Sequence, residues 1–180
     1  MSKTLIHCTS LSQLQSFINF LNLKQNNTVK NLPNGVKIFE DENAKYLLVV
    51  SKTGKENILE ALGFIYKNYT ITKALNIGIA GCSDGSVKIG TLFCTNKLLF
   101  GINFGSLTTV DTPLETDENL ETLLVDTEAK YFLEASKENC KELYVFKVVS
   151  DYLETKDLKD EFIESLIQNV YSKIEKKKLH

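Results

Sequence analysis

The chain has 180 residues, 43% hydrophobic and 24% charged, the balance of one folded domain over 1–180 rather than a disordered or membrane-spanning chain. Its net charge is −2 and its lysine clusters are short, which excludes an electrostatic attachment to nucleic acid or to a membrane surface. All 21 basic residues are lysine, so the usual bidentate clamp for phosphate and carboxylate, arginine, is missing.

In chain order, Lys3–Cys8 reads as a first buried strand. Thr9 or Ser10 can cap the helix that follows, where Leu11, Leu14, Phe17, Ile18 and Leu21 recur at helical spacing. A polar stretch ends in the turn Pro33-Asn34-Gly35, and Val36–Phe39 and Tyr46–Val50 read as strands. Ser51–Lys55 (S-K-T-G-K) is a tight strand-to-helix loop. It is not a phosphate-binding P-loop, because Val49 stands where that motif needs Gly and Glu56 where it needs Ser or Thr. Ile58, Leu59, Leu62, Ile65 and Tyr66 give the next helix an apolar face.

Leu75–Ala80 is expected as a buried strand that breaks into a loop of small residues over Gly78–Ser83, where glycine would let backbone N–H groups approach a ligand. Val87–Cys94, Leu98–Ile102 and Leu107–Val110 follow as strand candidates without an intervening helix. Asp111-Thr112-Pro113 opens a loop, and the acidic stretch Thr116–Glu121 is expected at the surface. Leu123–Val125 leads into a helix over Thr127–Glu138. Leu143–Val149 is the strongest strand in the chain, and a last helix spans Leu158–Ile174 with a frayed tail at Lys176–Lys178. Strands alternating with helices around a strand-rich centre predict a three-layer α/β/α fold with a twisted mixed sheet.

Cys8, Cys82, Cys94 and Cys140 lack C-x-x-C spacing, and no secretory leader is expected. They read as reduced thiols of a cytoplasmic protein. With only His7 and His180 as histidines no zinc site is expected, and no metal or other cofactor is called for. No apolar run nears the roughly 20 residues of a membrane span.

Ligands of open α/β sheets bind beyond the carboxyl ends of the strands. Four groups fall there: the Gly78–Ser83 loop, Asp111, the pair Asp126 and Glu128, and Asp151. Asp151 ends a strand of mostly apolar residues, where burial would favour a protonated carboxyl able to act as an acid. It can equally be a cap or turn residue. Glu128 opens a helix, where the dipole alone would favour an acid. Asp111 reads as a turn residue before Thr112-Pro113.

The ordered set S-K-T-G-K-E-N, N-I-G-I-A-G-C-S, V-K-I-G-T, G-S-L-T-T-V-D, V-D-T-E-A and V-F-K-V-V-S-D, between Leu48 and Asp151, resembles the purine nucleoside phosphorylase and uridine phosphorylase superfamily. Within it, the methylthioadenosine/S-adenosylhomocysteine nucleosidases are the most similar branch. The resemblance implies a nucleoside phosphorylase-like α/β/α fold, cleavage of the N-ribosidic bond of a purine nucleoside, no cofactor and a homodimer. It places Asp151 as the catalytic acid at the purine base and Glu128 at the ribose hydroxyls. Thr127 would lie beneath the sugar, where the family usually has Met, with Gly78, Ile79, Ala80 and Gly81 beside the nucleophile. Val149 and Ser150 would pack near the base, and Thr112 and Pro113 complete the substrate-binding set.

Two departures bear on the nucleophile. Phosphorolytic members hold phosphate with Arg and a Ser in the glycine stretch; here there is no Arg, and Ile79 stands in place of that Ser. This favours hydrolysis. Hydrolytic members orient their water with a Glu just after the first strand, whereas here the stretch is His7-Cys8-Thr9-Ser10. His7 is the titratable group there, either a substitute or a packed strand histidine. A catalytically impaired nucleoside- or base-binding protein on the same fold is the alternative to a working nucleosidase.

Overall fold

A computed structural model describes residues 2–112, 114, 120–153 and 157–178. Its elements are β1 (Lys3–Cys8), a 3-10 turn (Leu11–Gln13), α1 (Gln15–Phe20), β2 (Lys24–Gln25), β3 (Lys37–Glu40), β4 (Tyr46–Val50) and α2 (Lys55–Asn68). Then come β5 (Ile71–Cys82), β6 (Leu92–Cys94), β7 (Asn103–Phe104), β8 (Leu107–Thr109), β9 (Leu124–Asp126), α3 (Ala129–Ser136), β10 (Glu142–Asp151) and α4 (Asp160–Lys178).

Among the described residues the strands form one mixed sheet of 10 strands, in the order β2-β3-β4-β1-β5-β10-β6-β7, with β9 joined to the end of β5 and β8 to β9. The central strands β4, β1, β5 and β10 are parallel; β3 runs antiparallel to β4, β6 to β10 and β9 to β5, while β7 is parallel to β6 and β8 to β9. Strand periodicity sorts the core into two layers. Ile6, Leu48, Ile77 and Phe146 face α1 and α4, where Phe17, Ile167 and Ile174 close over them. Leu5, Leu47, Ala74 and Val145 face α2 and α3, where Ile58, Leu62 and Phe132 do the same. Near-continuous apolar runs in the central strands follow, because both of their faces are covered.

The three-layer α/β/α expectation holds, with four boundary corrections. The Gly78–Ser83 stretch is not a loop: β5 runs on through Cys82, because its last residues pair with β10 on one side and β9 on the other. Of Val87–Cys94 only Leu92–Cys94 is strand; the first half turns, with Val87 and Thr91 amides bonded three residues back. Leu98–Ile102 is a tight turn closed by a Leu99–Ile102 bridge, its tip residues Leu98 and Phe100 exposed. The Lys176–Lys178 tail stays helical. Pro113 and the stretch 116–119 lie outside the described residues.

The four cysteines are buried thiols. Among the described residues, no helix is long and apolar enough to cross a membrane.

Candidate active site

The carboxyl ends of β1, β4, β5 and β10 come out on one edge of the sheet. A cavity of about 440 Å3 opens there. Thr9, Ser10 and Gln13 line it after β1, Thr53 after β4, and Ile79–Gly81 from β5. Asp126, Thr127 and Glu128 enter from the β9–α3 junction, and Ser150, Asp151 and Leu153 from the end of β10. The volume lies within the range of about 300–1,000 Å3 usual for small-molecule pockets.

The floor is set by register. Lys147 on β10 pairs directly with Gly78 on β5, and its side chain is fully buried on the α3 side of the sheet. Its Nζ lies 2.7 Å from Asp126 Oδ2 and 2.6 Å from Glu128 Oε1. Burial alone would lower the ammonium pKa, but Asp126 and Glu128 outweigh it and hold the pKa above its ordinary value. Gly78 is what lets this triad close. A Cβ there would sit 2.3 Å from Glu128 Oε1, 3.0 Å from Lys147 Nζ and 3.5 Å from Gln13 Oε1. Glycine therefore supplies room rather than backbone freedom at this point of the strand.

Asp126 is fully engaged. Oδ1 accepts from Thr109 Oγ1 at 2.6 Å, and Oδ2 accepts from the first α3 amide, that of Ala129, at 2.9 Å. Glu128, only 3% exposed, keeps Oε2 without a partner, and Gln13 keeps Oε1 without one. Both oxygens are enclosed and unpartnered within residues that line the cavity, an arrangement that costs free energy.

His7 lies in the layer behind. It is fully buried, stacked on Phe132, and does not line the cavity. The Asn76 amide stands 3.3 Å from its Nδ1, and Ser51 Oγ lies 3.0 Å from its Nε2 while itself donating to the Lys52 carbonyl. This network assigns the neutral ring with hydrogen on Nε2. Burial, and then the Lys147 charge, push the His7 pKa down to about 3. The packed-histidine alternative is the one observed.

Asp151 is half-buried, its carboxylate closing a small turn: Oδ1 accepts from the Leu153 amide at 2.9 Å and Oδ2 from Ser150 Oγ at 2.7 Å. Leu153 takes φ +60° to make that turn. Gly81 lies against it, since a Cβ there would meet Leu153 Cδ2 at 2.9 Å and Asp151 Oδ1 at 3.1 Å.

Of the candidate residues, Ile79, Ala80, Gly81, Thr127, Glu128, Ser150 and Asp151 line one cavity. Gly78 sits just behind it under Glu128, and Val149 is packed in the apolar core with Phe93 and Leu124. Thr112 is exposed away from the lining set, and Asp111 is bonded to the Tyr131 hydroxyl. Sequence reasoning passed over Lys147, Gln13 and Thr53. Lys147 had a legible signal: a lysine between Phe146 and Val148 at the centre of an apolar strand has to find buried partners. Gln13 had none, since it reaches the cavity only because a 3-10 turn intervenes before α1.

The chain has a nucleoside phosphorylase-like α/β/α fold, with a cavity at the parallel strand ends. Among solved structures the chain is similar to the 5′-methylthioadenosine/S-adenosylhomocysteine nucleosidase of Helicobacter pylori. The TM-score is 0.74 at 12% identity, over 98% of this chain and 97% of that one. It is also similar to the futalosine hydrolase of Helicobacter pylori, with TM-score 0.73 and 12% identity over 93% of each chain. A third is the MTAN of Chlamydia trachomatis bound to adenine, with TM-score 0.72 and 15% identity over 97% of each. No protein-family model and no curated protein sequence matches the chain.

Proposed function

We propose that the chain cleaves the N-ribosidic bond of a purine nucleoside or thionucleoside, with water rather than phosphate as nucleophile. The observation that carries this reading is that Glu128 and Asp151, remote in sequence, line a single cavity on a fold shared with nucleosidases. Asp151, at the rim, supplies the proton or hydrogen bond that lets the base leave. Glu128 Oε2, unpartnered, accepts from a ribose hydroxyl and places negative charge beside the oxocarbenium-like sugar. Thr127 lies under the sugar, Ile79–Gly81 flank the attacked face, and Ser150 holds Asp151 in position. The floor carries one buried ammonium against two carboxylates, a field that repels an anionic nucleophile. A homodimer belongs to the same proposal, and light scattering reads it.

One observation favours a second reading, a nucleoside- or base-binding protein without turnover: Thr9, Ser10 and Gln13 line the cavity after β1 with no carboxylate among them. Release of adenine or hypoxanthine from a nucleoside panel, with and without phosphate, separates the two. The nucleosidase reading expects release that does not saturate with phosphate and falls about 100-fold or more in Asp151→Asn. Saturation with phosphate would refute water as nucleophile. Adenine binding with no release would establish the second reading.

A further inference from the structure

We propose that the pole of the molecule opposite the cavity docks on an anionic lipid bilayer, with Leu98 and Phe100 entering its interface and the surrounding lysines meeting the headgroups. This goes beyond the nucleosidase reading and does not depend on it. The tight turn Leu98–Ile102 presents Leu98 at 80% and Phe100 at 92% exposure, the two most exposed large apolar side chains among the described residues. The turn is preformed. The Leu99–Ile102 bridge closes it, and those two side chains pack against the core on the α4 side, so the apolar tip projects outward. Neighbouring apolar side chains this far out mark a surface that something covers.

Asn96, just before the turn, donates to the Leu143 carbonyl and accepts from the Val145 amide, which places the tip beside the start of β10. The cavity lies at the other end of that strand, at Ser150 and Asp151, roughly 25 Å away at about 3.3 Å per residue. A surface held at the tip therefore leaves the cavity open. The charges divide the same way. Asp126, Glu128, Asp151 and Asp157 line the cavity, whereas Lys97, Lys137 and Lys141 share a depression beside the tip, with Glu138 as the acid in it. The end of α4 adds Lys176 and Lys177, both exposed, and the Lys177 ammonium stands 5.3 Å from the Phe100 ring centre. Glu175 beside them accepts from the Tyr171 hydroxyl at 3.1 Å. The stretch Gly85–Val110, which carries the tip, contains no Asp or Glu. Net charge and lysine spacing along the chain argued against a membrane surface; neither registers lysines that the fold gathers from separate stretches. A second copy of the chain would set this lysine-rich pole against itself, and an acidic peptide would be gripped by a groove, whereas Leu98 and Phe100 protrude. An anionic bilayer complements both features: its negative surface attracts the lysines, and its apolar boundary takes up a protruding Leu and Phe.

The test is co-sedimentation of the full chain with vesicles of phosphatidylcholine containing about 30% phosphatidylserine, and with vesicles of phosphatidylcholine alone, at about 0.1 M NaCl. Binding to the anionic vesicles should be about 10-fold or more tighter than to the neutral ones, and about 0.5 M NaCl should release most of the bound protein. Phe100→Ser should weaken anionic-vesicle binding about 10-fold or more, and the double variant Lys176→Gln, Lys177→Gln by a similar factor. Both should melt within about 2 °C of wild type, since the altered side chains are exposed. If Phe100→Ser does not fold, Leu98→Ser at the same tip carries the same expectation. Absence of binding to anionic vesicles overturns the proposal, as does equal binding to neutral ones, which would be apolar adsorption without the lysines. Variants that keep wild-type affinity within about twofold overturn it too. Light scattering completes the set: a wild-type dimer that Phe100→Ser converts to monomer, with no vesicle binding, would assign the tip to a second copy of the chain instead.

Discussion

Replacing Lys147 by methionine isolates the element on which the site is built. The side chain is fully buried and carries two charge-assisted contacts, at 2.7 Å to Asp126 and 2.6 Å to Glu128. Methionine keeps the volume and removes the charge, leaving two carboxylates facing each other in a buried floor. Breaking a buried pair by removing one partner costs about 3–5 kcal/mol, a large share of the roughly 5–15 kcal/mol that holds a domain of this kind together. At about 2–4 °C per kcal/mol for a chain of this length, Lys147→Met should melt roughly 6–20 °C below wild type. Calorimetry or urea titration reads this directly. The cause is then checked by a cycle: the triple variant Lys147→Met, Asp126→Asn, Glu128→Gln should regain much of the loss, because nothing charged is left to compensate. A melt within about 2 °C of wild type for Lys147→Met alone would refute the view that this lysine neutralises the floor.

Two further outcomes follow from the same geometry. His7 is held neutral with its pKa at about 3, against about 6.5 in the unfolded chain. The unfolded state therefore binds a proton first as pH falls: the stability is present above about 6.5 and is lost towards pH 3, at up to about 1.4 kcal/mol per unit. His7→Gln should flatten that slope in urea midpoints measured against pH; an unchanged slope would show that other groups carry it. Gly78→Ala should destabilise by about 1–3 kcal/mol and weaken binding of a nucleoside more than of free adenine by calorimetry, since its methyl falls 2.3 Å from Glu128 Oε1; a variant that melts and binds like wild type would contradict the close approach.

Much of the fold was legible because burial on both faces of a parallel sheet writes itself as apolar runs, as in Tyr46–Val50 and Leu143–Val149. The helices were legible from their apolar stripes, and the misreadings fall where partners decide the structure. Gly78–Ser83 looked like a loop from its composition, yet two neighbouring strands keep it extended. Val87–Gly90 had strand composition but turns, meeting β10 only at its end, where the Gly90 amide donates to the Val149 carbonyl. At the site, Glu128 and Asp151 were readable from their places at element ends. The water-facing group was sought in His7–Ser10, where strand alternation instead turns His7 into the layer against Phe132.

The linear chain alone determined the alternation of strands and helices, the lack of any arginine to hold phosphate, and the positions of acids at strand and helix ends, because local periodicity and composition are properties of neighbours in sequence. Only the tertiary structure decided that Lys147 lies beside Gly78, that Glu128 reaches over it, and that Gln13 lines the same cavity as Glu128. Those contacts depend on β5–β10 register and on how α3 packs across both strands, which no single stretch of sequence specifies.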